Sequence, residues 1–345
     1  WLCLPDYLIY RFTGEYATDY SIATRTAAFD IKNRKWSSLM LEALGVGESF
    51  FAKASASGTI VGRITRKAAE ESGLAVGTKI GLGGHDHVVG SYGIGMFRGG
   101  DLLDSIGTAE GVVMLMNDYG RVKQIYDSGF SMGCYTGGEM YYIMSGINCS
   151  GGLTEWFLRE FYDEKLSKEE KYLRLAADLK KAKSGSGGVL TLPFWLGRGA
   201  PFKDSLAKGA ILGLTPNSTK SDILGSLYEG LSYEFRQTME AMQEAAGVKV
   251  KNLNVIGGGT RNNYWMTVKA NITGKKLVVP QVRESVCFGA ALLAGVGAGE
   301  IKVPKSVTDR LKKKYFTPDK SKTAFHNSYY GQHYKEAGQM LLQEK

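Results

Sequence analysis

The chain has 345 residues, 43% of them hydrophobic, enough to bury one large core or two ordinary ones, which excludes disorder as a description of the whole. Its 45 glycines against 7 prolines follow no three-residue period, which excludes a collagen-like chain and leaves turns, caps and close backbone approaches as their use. The net charge of +9 is compatible with nucleic acid, an anionic substrate or a solvated surface, and the basic clusters at 180–183 and 312–314 lack the interleaved aromatics of a stacking platform for nucleic acid.

In chain order, the opening stretch WLCLPDYLIYRFTGEY has no basic region followed by an apolar run and a cleavage site, and no segment reaches the roughly 18 uninterrupted apolar residues of a membrane span. A soluble, unsecreted protein without a membrane partner is expected. Short apolar runs then lead into three glycine turns, KIGLGGHD ending at Asp86, SIGT at 105–108 and VIGGGT at 255–260. A fourth, Ser150-Gly151-Gly152, opens a helix through Trp156 and Phe157. The one low-complexity stretch, Ser184 to Gly188, is expected as a surface loop. From Ser221 to Ala246, apolar residues at Leu224, Leu227, Leu231, Phe235, Met239 and Met242 predict a long helix, with Ser218 or Ser221 as N-cap and Gly247 as C-cap. Helices over Asn262 to Thr273 and Cys287 to Ala298 flank a strand over Lys276 to Pro280. This alternation predicts an α/β or α+β enzyme with ligand loops at strand ends. The best internal break, near Met96 to Asp101, separates residues 1–98 from 99–345. Cys3, Cys134, Cys149 and Cys287 form no CxxC pair or disulfide framework, so reduced thiols in a cytoplasmic protein and no structural zinc are expected.

Four constellations could carry chemistry. In Gly83-Gly84-His85-Asp86-His87, the carboxylate after a Gly-Gly turn could project into a cleft and accept a proton from a substrate hydroxyl, or it could cap a helix starting near Val88. Two histidines without a third ligand nearby are a weak metal signal, and no metal site is assigned. Asp104 to Ala109 is a small-residue turn with a hydroxyl, suited to a phosphate, although neither GxxxxGK[ST] nor GxGxxG with a downstream acid occurs. The helix start at Ser150 to Glu155 favours an anion, or is merely structural. Gly257-Gly258-Gly259-Thr260-Arg261-Asn262-Asn263 permits close backbone approach of a flat ligand, whereas a tight strand-to-helix turn needs one glycine.

These residues resemble the FGGY carbohydrate kinases, in the superfamily of actin, hexokinase and the heat-shock chaperone ATPases. The most specific match is Gly209 through Glu229, similar to the family's C-terminal signature. Support comes, in the family's order, from residues 16–26 (YATDYSIATRT), the 83–86 and 105–108 turns, Gly197-Arg198-Gly199-Ala200-Pro201, the 257–263 turn and 284–291. The resemblance implies an α/β, actin-like ATPase (ribonuclease H-like) fold. In it, a sugar-binding lobe (1–98) and a nucleotide-binding lobe (99–345) would face each other across an ATP and sugar cleft. The family's opening Asp-x-Gly-Thr loop does not occur, so an incomplete first lobe is expected. Carried over by residue, the resemblance implies Asp86 as general base and His87 as a sugar contact, with Glu110 also assigned to the substrate. Gly107 and Thr108 would lie at the phosphates, Gly151 and Glu155 in the nucleotide pocket, and Gly258 and Asn262 at the adenosine. ATP and Mg²⁺ are the implied cofactors, a small sugar the partner, no nucleic acid or membrane, and a homodimer the assembly the family suggests. Thr267 and Asn271 stand where many relatives carry Gln and Asp, and Glu110 where small or apolar residues are common. A noncatalytic, nucleotide-binding regulatory member is the alternative reading.

Overall fold

The computed structural model describes residues 1–136 and 138–340. Its centre is a seven-stranded mixed sheet built from β1 (Asp101–Ile106), β2 (Glu110–Met116), β3 (Ser131–Cys134), β4 (Tyr141–Ile147), β5 (Asn252–Gly257), β6 (Leu277–Pro280) and β7 (Lys313–Phe316), in the order β7-β6-β5-β1-β2-β4-β3. The β5–β1 and β5–β6 pairs are parallel and the others antiparallel. Leu102, Ile106, Val112 and Met114 face one core and Leu103, Val113 and Leu115 the other, as expected for strands covered on both faces.

Five helices position the candidate site: α1 (Asp86–Gly93), α2 (Gly151–Phe161), α3 (Lys220–Ala246), α4 (Asn263–Thr273) and α5 (Ser285–Gly297). Helix α3 forms as its periodicity predicts and ends at Gly247 in the left-handed conformation, φ 68°. Its cap is Thr219, neither Ser218 nor Ser221, because only Thr219 can trade hydrogen bonds with Asp222, each satisfying the other's backbone N–H. The strand, turn, helix, strand, helix order expected between 250 and 298 is present as β5, α4, β6 and α5. Helix α5 starts at Ser285, two residues before the expected Cys287.

Ahead of the sheet lie short helices and two-stranded pairs, including 17–19 with 53–55 and 60–63 with 79–81. Helices α1 and α5 meet backbone to backbone: a Cβ on Gly93 would stand 2.6 Å from the Ser285 carbonyl oxygen, and one on Gly289 would collide with that of Val89. The stretch Ser184 to Gly188 departs from the surface loop expected. Gly185 and Ser186 are buried, and a Cβ on Gly185 would press on the Phe325 ring. All four cysteines are free, and no helix among the described residues is long and apolar enough to cross a membrane.

Candidate active site

The 83–87 turn is held from beneath by a network anchored on Asp19. This buried carboxylate caps the helix Tyr20–Thr24, accepting from the backbone N–H of Ser21 and Ile22 at 2.9 Å each, and accepts the Ser57 hydroxyl at 2.7 Å. Burial raises the Asp19 pKa and these donors oppose the rise without cancelling it. Ser21 Oγ in turn accepts from the His85 N–H at 2.8 Å. Gly84 passes so close that a Cβ would sit 2.7 Å from Ser21 Oγ, which explains the second glycine of the turn. This support was missed by sequence reasoning; its available signal was Asp19 preceding a short helix, an N-cap pattern.

Helix α1 begins at Asp86 itself with His85 as N-cap, so Asp86 does not cap a helix starting at Val88. Its side chain is 66% exposed; Oδ1 accepts from the His87 N–H at 2.7 Å and lies 3.1 Å from His85 Nδ1. Oδ2 has no partner among the described residues. Burial lowers the His85 pKa, leaving a neutral imidazole at pH 7. His87 rests on Gly111 of β2, where a Cβ would come within 2.7 Å of the imidazole, and this contact joins the 83–87 turn to the β1–β2 hairpin.

The tip of that hairpin carries Gly107 and Thr108. The Gly107 N–H donates to the Ala109 carbonyl at 2.9 Å, and the tip is sewn to the start of α2: Ser150 and Gly152 N–H donate to Thr108 O, and Gly151 N–H to Gly107 O, at 2.9 to 3.0 Å. The N–H groups expected to favour an anion at this helix start are therefore spent on hairpin carbonyls. Gly151 is required by the approach, since a Cβ would stand 2.5 Å from Gly107 O. The Thr108 hydroxyl makes no hydrogen bond to the described residues. Glu155 is half exposed, paired with Lys168 at 3.0 Å and accepting from Tyr172 Oη at 2.9 Å; burial would raise its pKa, but these partners outweigh it and the net shift is downward.

Behind the hairpin lies an ion cluster fully shielded from water. Lys269 Nζ on α4 bonds Asp104 Oδ2 at 2.5 Å and Glu110 Oε1 at 2.6 Å, while Glu110 Oε2 accepts from Ser150 Oγ at 2.7 Å. Both Glu110 oxygens are thus engaged inside the protein. Burial alone would lower the Lys269 pKa, yet the two carboxylates reverse the shift; Asp104 is raised, by burial and by the charge of Glu110. Asp104 and Glu110 are recognisable in sequence as flanks of the SIGT turn, but Lys269 lies more than 150 residues away and has no local signal.

In the 257–263 turn the glycines differ in kind. Gly257 has φ 94° and lies against Ile106, and a Cβ on Gly259 would sit 2.9 Å from the Trp265 ring, whereas Gly258 has open space on its side-chain face. Two glycines are therefore structural, where the sequence argument needed one, and the third leaves room. Asn262 is the N-cap of α4, accepting from the Trp265 N–H at 3.1 Å. The β5–β1 register sets Gly257 opposite Ile106, which places this turn beside the Gly107–Ala109 tip at the same end of the sheet.

A cavity of about 560 Å³ is lined by His85, Asp86, His87, Ala109, Glu110, Asn148 and Lys203, among others, Glu110 with its side chain turned into the ion cluster. It gathers the 83–87 turn and the hairpin; Gly107, Thr108, Gly151, Glu155, Gly258 and Asn262 lie outside its lining. Arg198, also in the wall, is locked by two bonds to Glu234 at 2.9 and 3.0 Å. Lys203 has no ion-pair partner among the described residues, and sequence reasoning passed it over. Thr267 and Asn271 both have structural work. The Thr267 hydroxyl donates to the Asn263 carbonyl at 2.8 Å, and Asn271 Oδ1 accepts from the Asp319 N–H at 2.8 Å.

Known proteins share the family and the fold of this chain. Residues 1–93 match the N-terminal domain and residues 105–298 the C-terminal domain of the FGGY family of carbohydrate kinases. A glycerol kinase of Pseudomonas fluorescens is 33% identical over 303 residues, covering 86% of this chain and 56% of that protein. The chain thus spans little more than half the length of that curated relative. Among solved structures, a gluconate kinase from Lactobacillus acidophilus superposes with a TM-score of 0.87 at 20% identity, over 100% of this chain and 68% of that one. The glycerol kinase of Plasmodium falciparum with ADP gives 0.85 at 20% identity, over 100% and 67%. These likenesses bear out the actin-like ATPase fold. They do not bear out the expectation of an incomplete first lobe. With both family domains matched in order and the fold shared along the whole chain, the chain belongs to the FGGY family of carbohydrate kinases.

Proposed function

We propose that this chain carries the cleft of an ATP-dependent kinase that phosphorylates a hydroxyl of a small sugar, ketose, polyol or aldonate, with Asp86 as general base. The observation that carries the reading is the Asp86 carboxylate. It opens α1, is two-thirds exposed with one oxygen unpartnered, and faces a cavity large enough for a small sugar. His87, beside it, is suited to orient the acceptor. Residues 1–98 would supply the sugar side and 99–345 the nucleotide side, with the break between α1 and β1. Glu110, expected at the substrate, is better suited to bracing the hairpin from behind, because both its oxygens are taken.

A nucleotide suits the residues present. Gly258 leaves the space that a side chain would fill, next to the Gly107 and Thr108 tip, where a free hydroxyl and backbone can meet phosphate oxygens. Gly151 and Glu155 flank that tip from α2, and Asn262 holds the end of α4 against it. No group of three His, Cys, Asp or Glu side chains among the described residues could hold a metal, so magnesium would be carried on the nucleotide's phosphates, as is usual for this ion. Bound MgATP would supply the phosphoryl group. The chain's own work is then to hold the acceptor hydroxyl in line, take its proton at Asp86 Oδ2, and keep water from the hydroxyl's place.

The test is ADP release by the full-length protein at fixed MgATP across ketoses, polyols and aldonates, headed by glycerol and gluconate, the acceptors in the relatives' names. One acceptor should raise turnover far above background, and Asp86→Asn should lower that turnover about 10²- to 10⁴-fold while the protein still folds and binds nucleotide. Near-normal turnover of the variant would refute the general base. A folded, ATP-binding protein that no acceptor stimulates would favour the noncatalytic regulatory reading instead.

A further inference from the structure

A second cavity, of about 440 Å³, lies toward the other end of β1 and β5, on the sheet face that also carries α1 and α5. Its rim holds six cationic side chains, Arg98, Lys251, Lys275, Lys276, Lys305 and Lys313, against two carboxylates, Asp101 and Asp309. The two carboxylates can offset only two of the six cations, so the rim stays net positive. Asp101 accepts from the Phe97 and Arg98 N–H groups at 3.2 Å each and from Asn252 Nδ2 at 2.7 Å, while Asp309 is paired with Lys305. Asp309 also has its pKa held down by Lys305 first and by the fields of Lys313 and Arg98. Lys276 lies over the Tyr315 ring at 4.1 Å, and Lys251 and Lys313 have no ion-pair partner among the described residues.

The floor is as informative as the rim. Ile94, Phe97 and Val278 give it an apolar lining, and from it rises Asn254 of β5, only 9% exposed, whose carboxamide has no hydrogen bond to any described residue. The amide atoms are not sealed from solvent but open into the cavity, where they are available to a polar ligand. Like charges gathered around a concave, low-dielectric wall focus a positive potential into the cavity.

We propose that this groove binds a small polyanion bearing at least two phosphate groups, with the lysines of the rim on its phosphate oxygens and the Asn254 amide donating to it from the floor. The site is separate from the cleft of the proposed kinase and does not depend on that reading. Its concavity, walled by residues 94–98 and the helix Pro304–Thr308, fits a compact ligand better than a nucleic-acid strand, whose backbone needs an open track.

The test is calorimetric titration of the full-length protein with pyrophosphate at constant ionic strength, in the presence of a saturating nonhydrolysable ATP analogue, so that the phosphate positions of the cleft are occupied. One equivalent of pyrophosphate should bind. The double variant Lys251→Glu/Lys313→Glu, at two exposed positions, should weaken it at least tenfold while leaving affinity for the ATP analogue unchanged. Lys251→Arg/Lys313→Arg should retain it, and Asn254→Asp, which sets a negative charge in the floor, should weaken it also. No binding beyond the analogue's own site, or binding unaltered in the glutamate variant, would overturn the proposal. So would a 20-nucleotide single strand that binds the same residues more tightly than pyrophosphate.

Discussion

Lys269 is fully buried and is the cation bonded to both Asp104 and Glu110, whose side chains are shielded from water. Replacing it by Met would leave Asp104 and Glu110 facing each other without a cation, a change that costs about 3–5 kcal/mol when one partner of a buried pair is removed. Thermal unfolding should therefore shift downward by about 4–7 °C, and adding Glu110→Gln to Lys269→Met should recover part of the loss. A full additive loss in the double variant would show that the cluster is not coupled. Glu229 on α3 is another buried carboxyl, without a cationic partner among the described residues, and burial pushes it from an ordinary value near 4.5 up to about 8. The folded protein thus keeps a proton that the unfolded chain releases, so stability should fall as pH rises from about 4.5 to about 8 and level off above. Glu229→Gln, which cannot ionise, should flatten that slope: denaturant unfolding should show the variant gaining on the parent at pH 8 and not at pH 4.

The strand-to-helix turn at 257–259 separates structural need from ligand space within three residues. Gly257→Ala or Gly259→Ala should lower the melting temperature, the first by backbone strain at positive φ and the second by pressing on Ile106 and Trp265. Gly258→Ala should leave melting within about a degree, because surface changes away from packing are usually small. It should nevertheless weaken nucleotide binding, measured by titration with ADP; unaltered binding would remove Gly258 from the nucleotide site. Elements of this kind were legible to different depths. The helix over 220–246 is written in its apolar period, yet its cap was not, since Ser218, Thr219 and Ser221 all fit locally and only the side chain of Asp222 selects between them. The turns were legible as glycine clusters. The partner that each glycine avoids was not, because Ile106, Gly107 and Ser21 are neighbours in space alone.

At the scale of the molecule, the order of motifs along the chain carried the fold, while the contacts closing it are between distant residues. Helix α1 carries Asp86 at its first position and at its last, Gly93, lies against α5. A methyl group at Gly289 would force these helices apart, an overpacking that typically costs about 1–3 kcal/mol. Because α1 would tilt as one body, Gly289→Ala should lower both the melting temperature and kcat with little change in nucleotide affinity, the reverse of the pattern for Gly258→Ala. The Asp19, Ser21 and His85 chain is legible only in part for the same reason: the carboxylate's helix cap is local, whereas its grip on the 83–87 turn joins segments more than 60 residues apart.

The parallel pairing of β1 with β5 also sets a timetable for the chain's birth on the ribosome. When Ile106 emerges, its hydrogen-bonding neighbour Gly257 has yet to be translated. At about 5–20 residues per second, the open edge of β1 waits for roughly 8–30 s. During that interval an apolar strand, Leu102-Leu103 included, presents unpaired N–H and C=O groups to any other chain nearby. Release of nascent chains stalled before residue 252 should yield aggregates or chaperone-bound material, whereas chains stalled late enough for residue 280 to clear the exit tunnel should become protease-resistant across 101–116.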